Sequence, residues 1–187
     1  MTVYFDGTGA GFTEEAARLA VERAHELGIT EFVVASNSGP SAWALINALG
    51  GDGTGVTVVT HAAGFREPFS TEMDREERGR LQKTGAEVIT ATHALSGVER
   101  AFGKKHQGTY PALIMADTLR LFGQGVKVAV ECSIIAADAG TLTGAKIVSI
   151  GGSGRGSDTA LVMTPGHAAQ LFDQIRVHEI ICKPGLY

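Results

Sequence analysis

Small polar residues stand between a predicted strand at residues 32–35 and a predicted helix at residues 41–49, and their types suit an anionic ligand. They are Ser36, Asn37, Ser38, Gly39 and Ser41. Free N–H groups at a helix N-terminus point outward, and the helix dipole favours negative charge there. The other interpretation is that Ser38 or Ser41 only caps the helix and that Pro40 fills its first turn.

Three further groups of such residues follow later predicted strands. They are Thr60, His61, Gly64, Phe65 and Arg66 at the end of the strand at residues 56–60, His93 and Ser96 after residues 87–90, and Gly151, Gly152, Ser153, Gly154, Arg155 and Asp158 after residues 146–150. Hydroxyl and N–H groups bind phosphate oxygens, Arg supplies positive charge, and Gly lets the backbone approach closely. The sequence therefore predicts one site for a phosphorylated ligand at one edge of the sheet.

Several of these residues also have a purely structural interpretation. His61 and His93 could be structural histidines at loop starts. A metal site formed by His61, His93, Glu131 and Asp138 is conceivable, because imidazole and carboxylate groups suit zinc or iron. None of the four shows the i, i+4 or close-pair spacing of a metal motif, so no metal is predicted.

The aromatic and charged side chains leave similar alternatives open. Arg66 can bind a phosphate or pair with Glu67 or Glu72. Phe65 and Trp43 can stack on a flavin or a nucleobase, although Trp43 fits the core better. No Walker motif or early G-x-G-x-x-G occurs, and residues 151–155 do not fit a nucleophile elbow. The catalytic residues are therefore left unassigned, and a hydrolase or isomerase using the two histidines is the weakest alternative.

The elements that must position these residues alternate along the chain. Strands are predicted at residues 3–5, 32–35, 56–60, 87–90, 146–150, 160–163 and 175–182, and helices at residues 13–28, 41–49, 72–84, 111–122 and 126–140. The first helix is expected to be capped by Thr13 and to bury a face that includes Ala24 and Leu27. The pattern predicts a three-layer α/β/α fold with a doubly wound, mostly parallel sheet and late antiparallel strands.

Composition limits the classes of function. The 187 residues are 44% apolar and 19% charged, which predicts one globular domain over residues 1–187. A net charge of −4 without a basic run argues against nucleic acid and membrane partners. Two distant cysteines, Cys132 and Cys182, and the absence of a signal peptide predict a reduced, cytoplasmic protein. The weakly charged residues 126–142 offer an apolar face that predicts at least a homodimer.

The motifs resemble those of a known family. The run "VVASNSGPSA" followed by "VTVVTH" resembles the C-terminal α/β domain of pyruvate kinases. Six further segments resemble small stand-alone archaeal and bacterial proteins with a fold like that domain: "VTHAAGFREP", "THALSGVERAFG", "IMADTLRLFGQGVKVAVE", "AADAG", "IGGSGRGSDTALVMTP" and "FDQIRVHEIICKP". This resemblance extends from about Val3 to Pro184 and implies a doubly wound α/β fold, with FMN as the ligand of some members.

The resemblance also bears on function. Residues 36–39 match the phosphate-binding loop of the pyruvate kinase domain, and residues 151–156 resemble its Gly-rich loop beside the effector pocket. Asn37 and Pro40 replace an acidic and a basic residue, which argues against a fructose bisphosphate effector. Kinase activity is not implied, because that active site belongs to other domains. Two functions follow as expectations: an FMN- or nucleotide-binding protein, with flavin-dependent oxidoreductase as its candidate activity, or a non-catalytic module that senses a phosphorylated metabolite.

Overall fold

A computed structural model describes residues 1–185 and places seven strands in one sheet. The strands are β1 (Val3–Phe5), β2 (Glu31–Ala35), β3 (Val56–Thr60), β4 (Glu87–Thr90), β5 (Ile147–Gly151), β6 (Thr159–Thr164) and β7 (Arg176–Pro184). Their order across the sheet is β1-β7-β6-β5-β2-β3-β4. β6 runs antiparallel to β5 and β7, and the other neighbours are parallel. The predicted mostly parallel sheet with late antiparallel pairing is therefore confirmed. The predicted domain boundary extends to Leu186 and Tyr187, which lie outside the described residues.

Seven helices accompany these strands within the described residues. They are α1 (Thr13–Leu27), α2 (Pro40–Ala48), α3 (Arg75–Lys83), α4 (Gly97–His106), α5 (Pro111–Arg120), α6 (Gln124–Asp138) and α7 (Leu171–Gln174). α4 is missing from the sequence-based prediction, because glycines at its first position and in its interior lower its helix propensity. None of the helices is long and apolar enough to cross a membrane.

The core has two parts because side chains alternate between the faces of the sheet. In β2, Phe32 and Val34 pack with residues of α1 and α2, whereas Val33 packs with residues of α6. All three of these side chains are buried, as the apolar pattern without alternation predicts for an interior strand. Helices thus cover both faces of the sheet, and helices from both faces reach the edge at which the parallel strands end.

Two predicted details of α1 are wrong, namely the cap at Thr13 and the burial of Leu27, whereas the predicted end of the helix at Gly28 is confirmed. Phe12 is the N-cap, and Thr13 is the first helical residue, whose Oγ1 accepts a hydrogen bond from the Ser157 N–H at 2.9 Å. Leu27 is 43% exposed, because the chain turns at Gly28 and Ile29 takes the core position instead. The N–H of Ile29 donates to the Ala24 carbonyl at 2.9 Å, which closes the helix end.

The apolar segment at residues 126–142 forms a helix, as predicted, but does not offer an exposed face. Twelve of the fifteen residues of α6 are buried, since the helix packs on β2 and β5 and against α5. The expected dimer interface on this segment is therefore wrong. Self-association of the chain stays a prediction without an assigned surface.

Candidate functional site

A cleft of about 880 Å³ opens at the edge of the sheet where the parallel strands end. Its floor lies above β2, β3 and β5, whose last residues are followed by the loops predicted to bind a ligand. β2 has β3 on one side and β5 on the other. The strand order therefore changes direction here, and such a crevice is where open α/β sheets bind ligands.

The first wall of the cleft is the serine loop (residues 36–41). Gly39, with φ 110°, is the N-cap of α2, and Pro40 is its first residue. The backbone N–H groups of Asn37, Ser38 and Ser41 donate to no acceptor within residues 1–185. Neither Ser38 nor Ser41 caps the helix, so that interpretation is wrong, while Pro40 fills the first turn as expected. The loop presents free donors to the cleft.

The opposite wall is the glycine loop (residues 151–156), which a buried carboxylate holds in place. Asp158 is fully buried, and its Oδ2 accepts hydrogen bonds from the N–H groups of Gly9 at 2.8 Å and Ser153 at 3.1 Å. The N–H groups of residues 154–156 find no acceptor in the described chain. Gly154 and Arg155 therefore offer donors across the cleft from the serine loop.

Two glycines of this loop allow close packing instead of ligand approach. A Cβ on Gly151 would lie 2.3 Å from the Gly125 carbonyl oxygen, at the contact between β5 and α6. A Cβ on Gly152 would lie 2.0 Å from the Gly156 carbonyl oxygen. The buried Ser153 hydroxyl has no hydrogen-bond partner in the described chain. These positions shape the loop that carries the donors.

A hydrogen-bonded cluster around His61 joins the serine loop to the segment after β3. The backbone N–H of His61 donates to Asn37 Oδ1 at 2.9 Å. The amide nitrogen of Asn37 is thereby turned toward His61 Nε2, which lies 3.1 Å away. Nε2 is therefore the acceptor, and Nδ1 carries the proton that is donated to Glu72 Oε2 at 2.5 Å. Both ring nitrogens of His61 are occupied, as expected for a structural histidine.

Arg66 and Phe65 complete this side of the cleft. The Arg66 Nε lies 2.6 Å from Glu72 Oε1, so Arg66 makes one of the two ion pairs named as the alternative to phosphate binding. The ring centroid of Phe65 lies 3.8 Å from that of His61 and 5.3 Å from that of His93. Three rings thus form an aromatic wall, and Phe65 is 42% exposed. Trp43 belongs elsewhere, because its Nε1 donates to Glu77 at 2.5 Å and its ring packs on the core.

His93 differs from His61 because its imidazole has no hydrogen-bond partner among the described residues. Burial lowers the pKa of His93. The positive charges of Lys127 and Arg100 and the ring of His61 also lower it, whereas the negative charge of Glu131 raises it. The imidazole is therefore neutral near pH 7. Both of its nitrogens are available to a ligand.

The helix on the far side of the cleft contributes a buried ion pair that the sequence analysis did not assign to the site. Lys127 and Glu131 are each 3% exposed, and the Lys127 Nζ contacts Glu131 Oε2. The second oxygen of Glu131 accepts the Leu95 N–H at 2.9 Å. A Lys–Glu pair at i, i+4 spacing within an otherwise apolar helix was the available signal. Cys132 also lines the cleft, but burial raises the pKa of its thiol to about 12, so it is not a nucleophile.

Basic residues outnumber acidic ones in the cleft although the chain as a whole is acidic. Five of its lining residues are cationic, namely Arg66, Arg100, Arg120, Lys127 and Arg155, and three are glutamates. Arg100 and Arg155 have no ion pair within the described residues. The first turns of α1, α2 and α6 also line the cleft, and each helix directs the positive end of its dipole there.

Two thirds of the predicted site residues line this cleft. They are Ser36, Asn37, Ser38, Ser41, Thr60, His61, Phe65, Arg66, His93, Gly152, Gly154 and Arg155. Six do not: Gly39, Gly64, Ser96, Gly151, Ser153 and Asp158. Gly39 faces α3, where a Cβ would lie 2.1 Å from Glu77 Oε1, and Ser96 is buried at the start of α4. The N–H of Gly64 donates to the Ser70 carbonyl within its own turn at 2.8 Å.

The conceivable metal-binding set is not brought together. Asp138 lies at the last position of α6 and interacts with His167, whose Nδ1 is 3.2 Å from Asp138 Oδ1. Within residues 1–185 no three His, Cys, Asp or Glu side chains are grouped as metal ligands. The chain matches no model of a known protein family.

Proposed function

We propose that the chain binds a phosphorylated small molecule, and specifically FMN, in the cleft between the serine and glycine loops. The observation that carries this proposal is the pair of facing loops, in which at least six backbone N–H groups have no acceptor in the described chain. Backbone donors at helix N-termini are the common way to hold phosphate oxygens. Arg155, which has no ion pair within the described residues, supplies the charge of the glycine loop.

The aromatic wall supports a ligand with a flat ring system. Phe65 and His93 face the cleft beside the serine loop, and their ring centroids are 5.3 Å apart. An isoalloxazine ring stacked on this wall would leave the ribityl phosphate to reach the loops. The resemblance to the stand-alone family with a pyruvate-kinase C-terminal-domain-like fold points to the same ligand, and we propose that fold for the chain without kinase activity.

A non-catalytic, metabolite-sensing role is the second candidate. The observation that favours it is the pairing of the ionisable groups in the cleft: His61 with Glu72 and Asn37, and Lys127 with Glu131. Groups held in this way position a ligand more readily than they transfer protons. The colour of the purified protein separates the two roles, because bound flavin absorbs near ~450 nm and a colourless protein would favour the sensor.

Calorimetric titration with FMN and with riboflavin, which lacks the phosphate, tests the proposal. FMN should bind at least about tenfold more tightly than riboflavin, because charge-assisted hydrogen bonds to the phosphate are lost in riboflavin. Arg155→Gln should weaken FMN binding about fivefold to tenfold and leave riboflavin binding unchanged. Arg75→Gln is the matched control, since Arg75 is exposed on α3 and does not line the cleft. Equal affinity for FMN and riboflavin would contradict a phosphate site.

A further inference from the structure

Two side chains in the cleft stand apart from the phosphate-binding loops and are unpartnered. The imidazole of His93 and the guanidinium of Arg100 make no hydrogen bond or ion pair within residues 1–185, and both line the cleft. The cations that α5 and α6 bring to the cleft are already paired: Lys127 with Glu131, and Arg120 with Asp117 at 2.5 Å. The cleft therefore has side-chain hydrogen-bond donors without an acceptor at a second position, apart from the two loops.

These two residues lie beside the serine loop but come from another part of the chain. Arg100 is in α4, and His93 is in the segment between β4 and α4. His61 lies between His93 and the loop, because its ring centroid is 5.1 Å from that of His93 and its Nε2 is 3.1 Å from Asn37 Nδ2. Arg100 lines the same cleft, and its charge acts on His93. A ligand group at His93 and a phosphate on the serine loop are thus neighbours across one imidazole ring.

We propose that His93 and Arg100 form a second anion-binding subsite, which takes a carboxylate or phosphate group next to the phosphate held by the loops. The second anion belongs either to the same ligand or to a second small molecule that binds beside it. This inference deepens the proposed function and rests on the same cleft. It does not require FMN to be the first ligand.

Binding at this subsite is coupled to a proton. Burial opposes protonation of His93, as do the positive charges of Lys127 and Arg100, whereas the negative charge of Glu131 favours it. An incoming anion adds negative charge beside the ring, so the imidazolium becomes favourable and donates a hydrogen bond to the anion. The pKa of His93 should therefore rise when the subsite is filled, and by linkage the anion should bind more tightly as the pH falls.

Sulfate is a suitable probe, since its charge does not change between about pH 5 and 8. Histidine ring resonances followed by NMR should show a rise in the pKa of His93 as sulfate is added to the full chain. Arg100→Gln should weaken this response about tenfold, while the exposed control Arg75→Gln leaves it unchanged. A His93 pKa that is insensitive to sulfate, or a response that Arg100→Gln leaves intact, would overturn the proposal.

His93→Gln gives an independent readout of the proton coupling. Calorimetric sulfate affinity should increase as the pH falls in the wild type and should lose this dependence in the variant. A wild-type affinity that does not vary with pH would also overturn the proposal.

Two comparisons, with and without saturating FMN, identify the source of the second anion and separate this inference from the FMN proposal. If sulfate still raises the pKa of His93 in FMN-saturated protein, the anion comes from a second molecule. If FMN alone raises that pKa and blocks the sulfate response, the group belongs to the same ligand. A sulfate response in a protein that fails to bind FMN would support this subsite and contradict only the choice of flavin.

Discussion

The two loops that face each other across the cleft are stabilised in different ways. The glycine loop is held by Asp158, a fully buried carboxylate that accepts two backbone N–H groups and the Thr159 hydroxyl. The serine loop is held by hydrogen bonds between neutral groups, from the His61 N–H to Asn37 Oδ1 at 2.9 Å and from the Ala42 N–H to Ser36 Oγ at 3.3 Å, which are weaker than bonds to a carboxylate. We infer that the glycine loop is preorganised by the fold, whereas the serine loop gains most from a ligand. Removal of the groups that hold the glycine loop should therefore lower stability, whereas mutations in the serine loop should act mainly on binding.

Removal of the buried carboxylate should have the largest effect on stability. Asp158→Ala leaves three donors without their acceptor and should lower the free energy of unfolding by about 3–5 kcal/mol. Urea denaturation measures this loss. Asp117→Ala is the control, because Asp117 has a side chain that is 75% exposed and its loss should change stability by less than about 0.5 kcal/mol. A loss of less than about 1 kcal/mol for Asp158→Ala would show that this carboxylate does not organise the loop.

Gly151→Ala should have the next largest effect, through the contact of the glycine-loop start with α6. The new Cβ would lie 2.3 Å from the Gly125 carbonyl oxygen and 2.7 Å from the Ala129 nitrogen, both of which are backbone atoms. Overpacking of this kind costs about 1–3 kcal/mol. Gly79→Ala should change stability in the opposite direction, by about 0.5–1 kcal/mol, because it lies within α3 with nothing within 4 Å. Thermal unfolding of both variants measures the direction of each change in stability. Equal shifts of the two unfolding midpoints would contradict the close packing of Gly151 against α6.

Comparison of the loops also shows what the sequence could predict. The strand ends and their polar residues were predictable, because apolar β-branched runs mark buried strands and parallel strands end at one edge. Asp158 was predicted as a ligand-binding residue, yet it binds backbone donors of two loops that are distant in sequence. Arg100 and Lys127 were missed because helices from the other face of the sheet bring them to the cleft. Such convergence depends on tertiary packing, which local patterns do not encode.

Gly154→Ala should separate stability from binding within the glycine loop. Gly154 and Gly140 both have positive φ, at 92° and 76°, and a Cβ at either would meet no atom within 4 Å. Alanine should therefore cost about 1 kcal/mol of stability at each position. Only Gly154 lines the cleft, so only Gly154→Ala should weaken FMN binding in calorimetry. Equal FMN affinities of the two variants would mean that the glycine loop does not touch the ligand.

Ser38→Ala should affect binding in the serine loop without an effect on folding. Ser38 is exposed and its hydroxyl makes no hydrogen bond within the described residues, so the unfolding midpoint should not move. Loss of one hydrogen bond to the phosphate should weaken FMN binding by about 1 kcal/mol. The effect stays modest because backbone donors supply most of the contacts. A loss above about 3 kcal/mol would indicate that the hydroxyl, and not the backbone, is the main donor.

The pH dependence contributed by His93 should be the smallest effect. Because its folded pKa is lowered, the unfolded chain binds the proton more readily, and stability is lost as the pH falls below about 6.5 through the folded value. His93→Gln should therefore flatten the stability profile between about pH 6.5 and 5. Urea midpoints of wild type and variant at several pH values measure this difference. A wild-type stability that increases as the pH falls would contradict the lowered pKa assigned to folded His93.

The central claim is that free backbone N–H groups of both loops hold the phosphate of the ligand. Amide NMR spectra of the chain recorded during an FMN titration test it most directly, with riboflavin as the parallel titrant. FMN should shift the amide resonances of Asn37, Ser38, Ser41, Gly154 and Arg155 together at one saturable affinity, and riboflavin should leave those resonances in place. Shifts that are absent from both loops, or that riboflavin reproduces in full, would contradict the account.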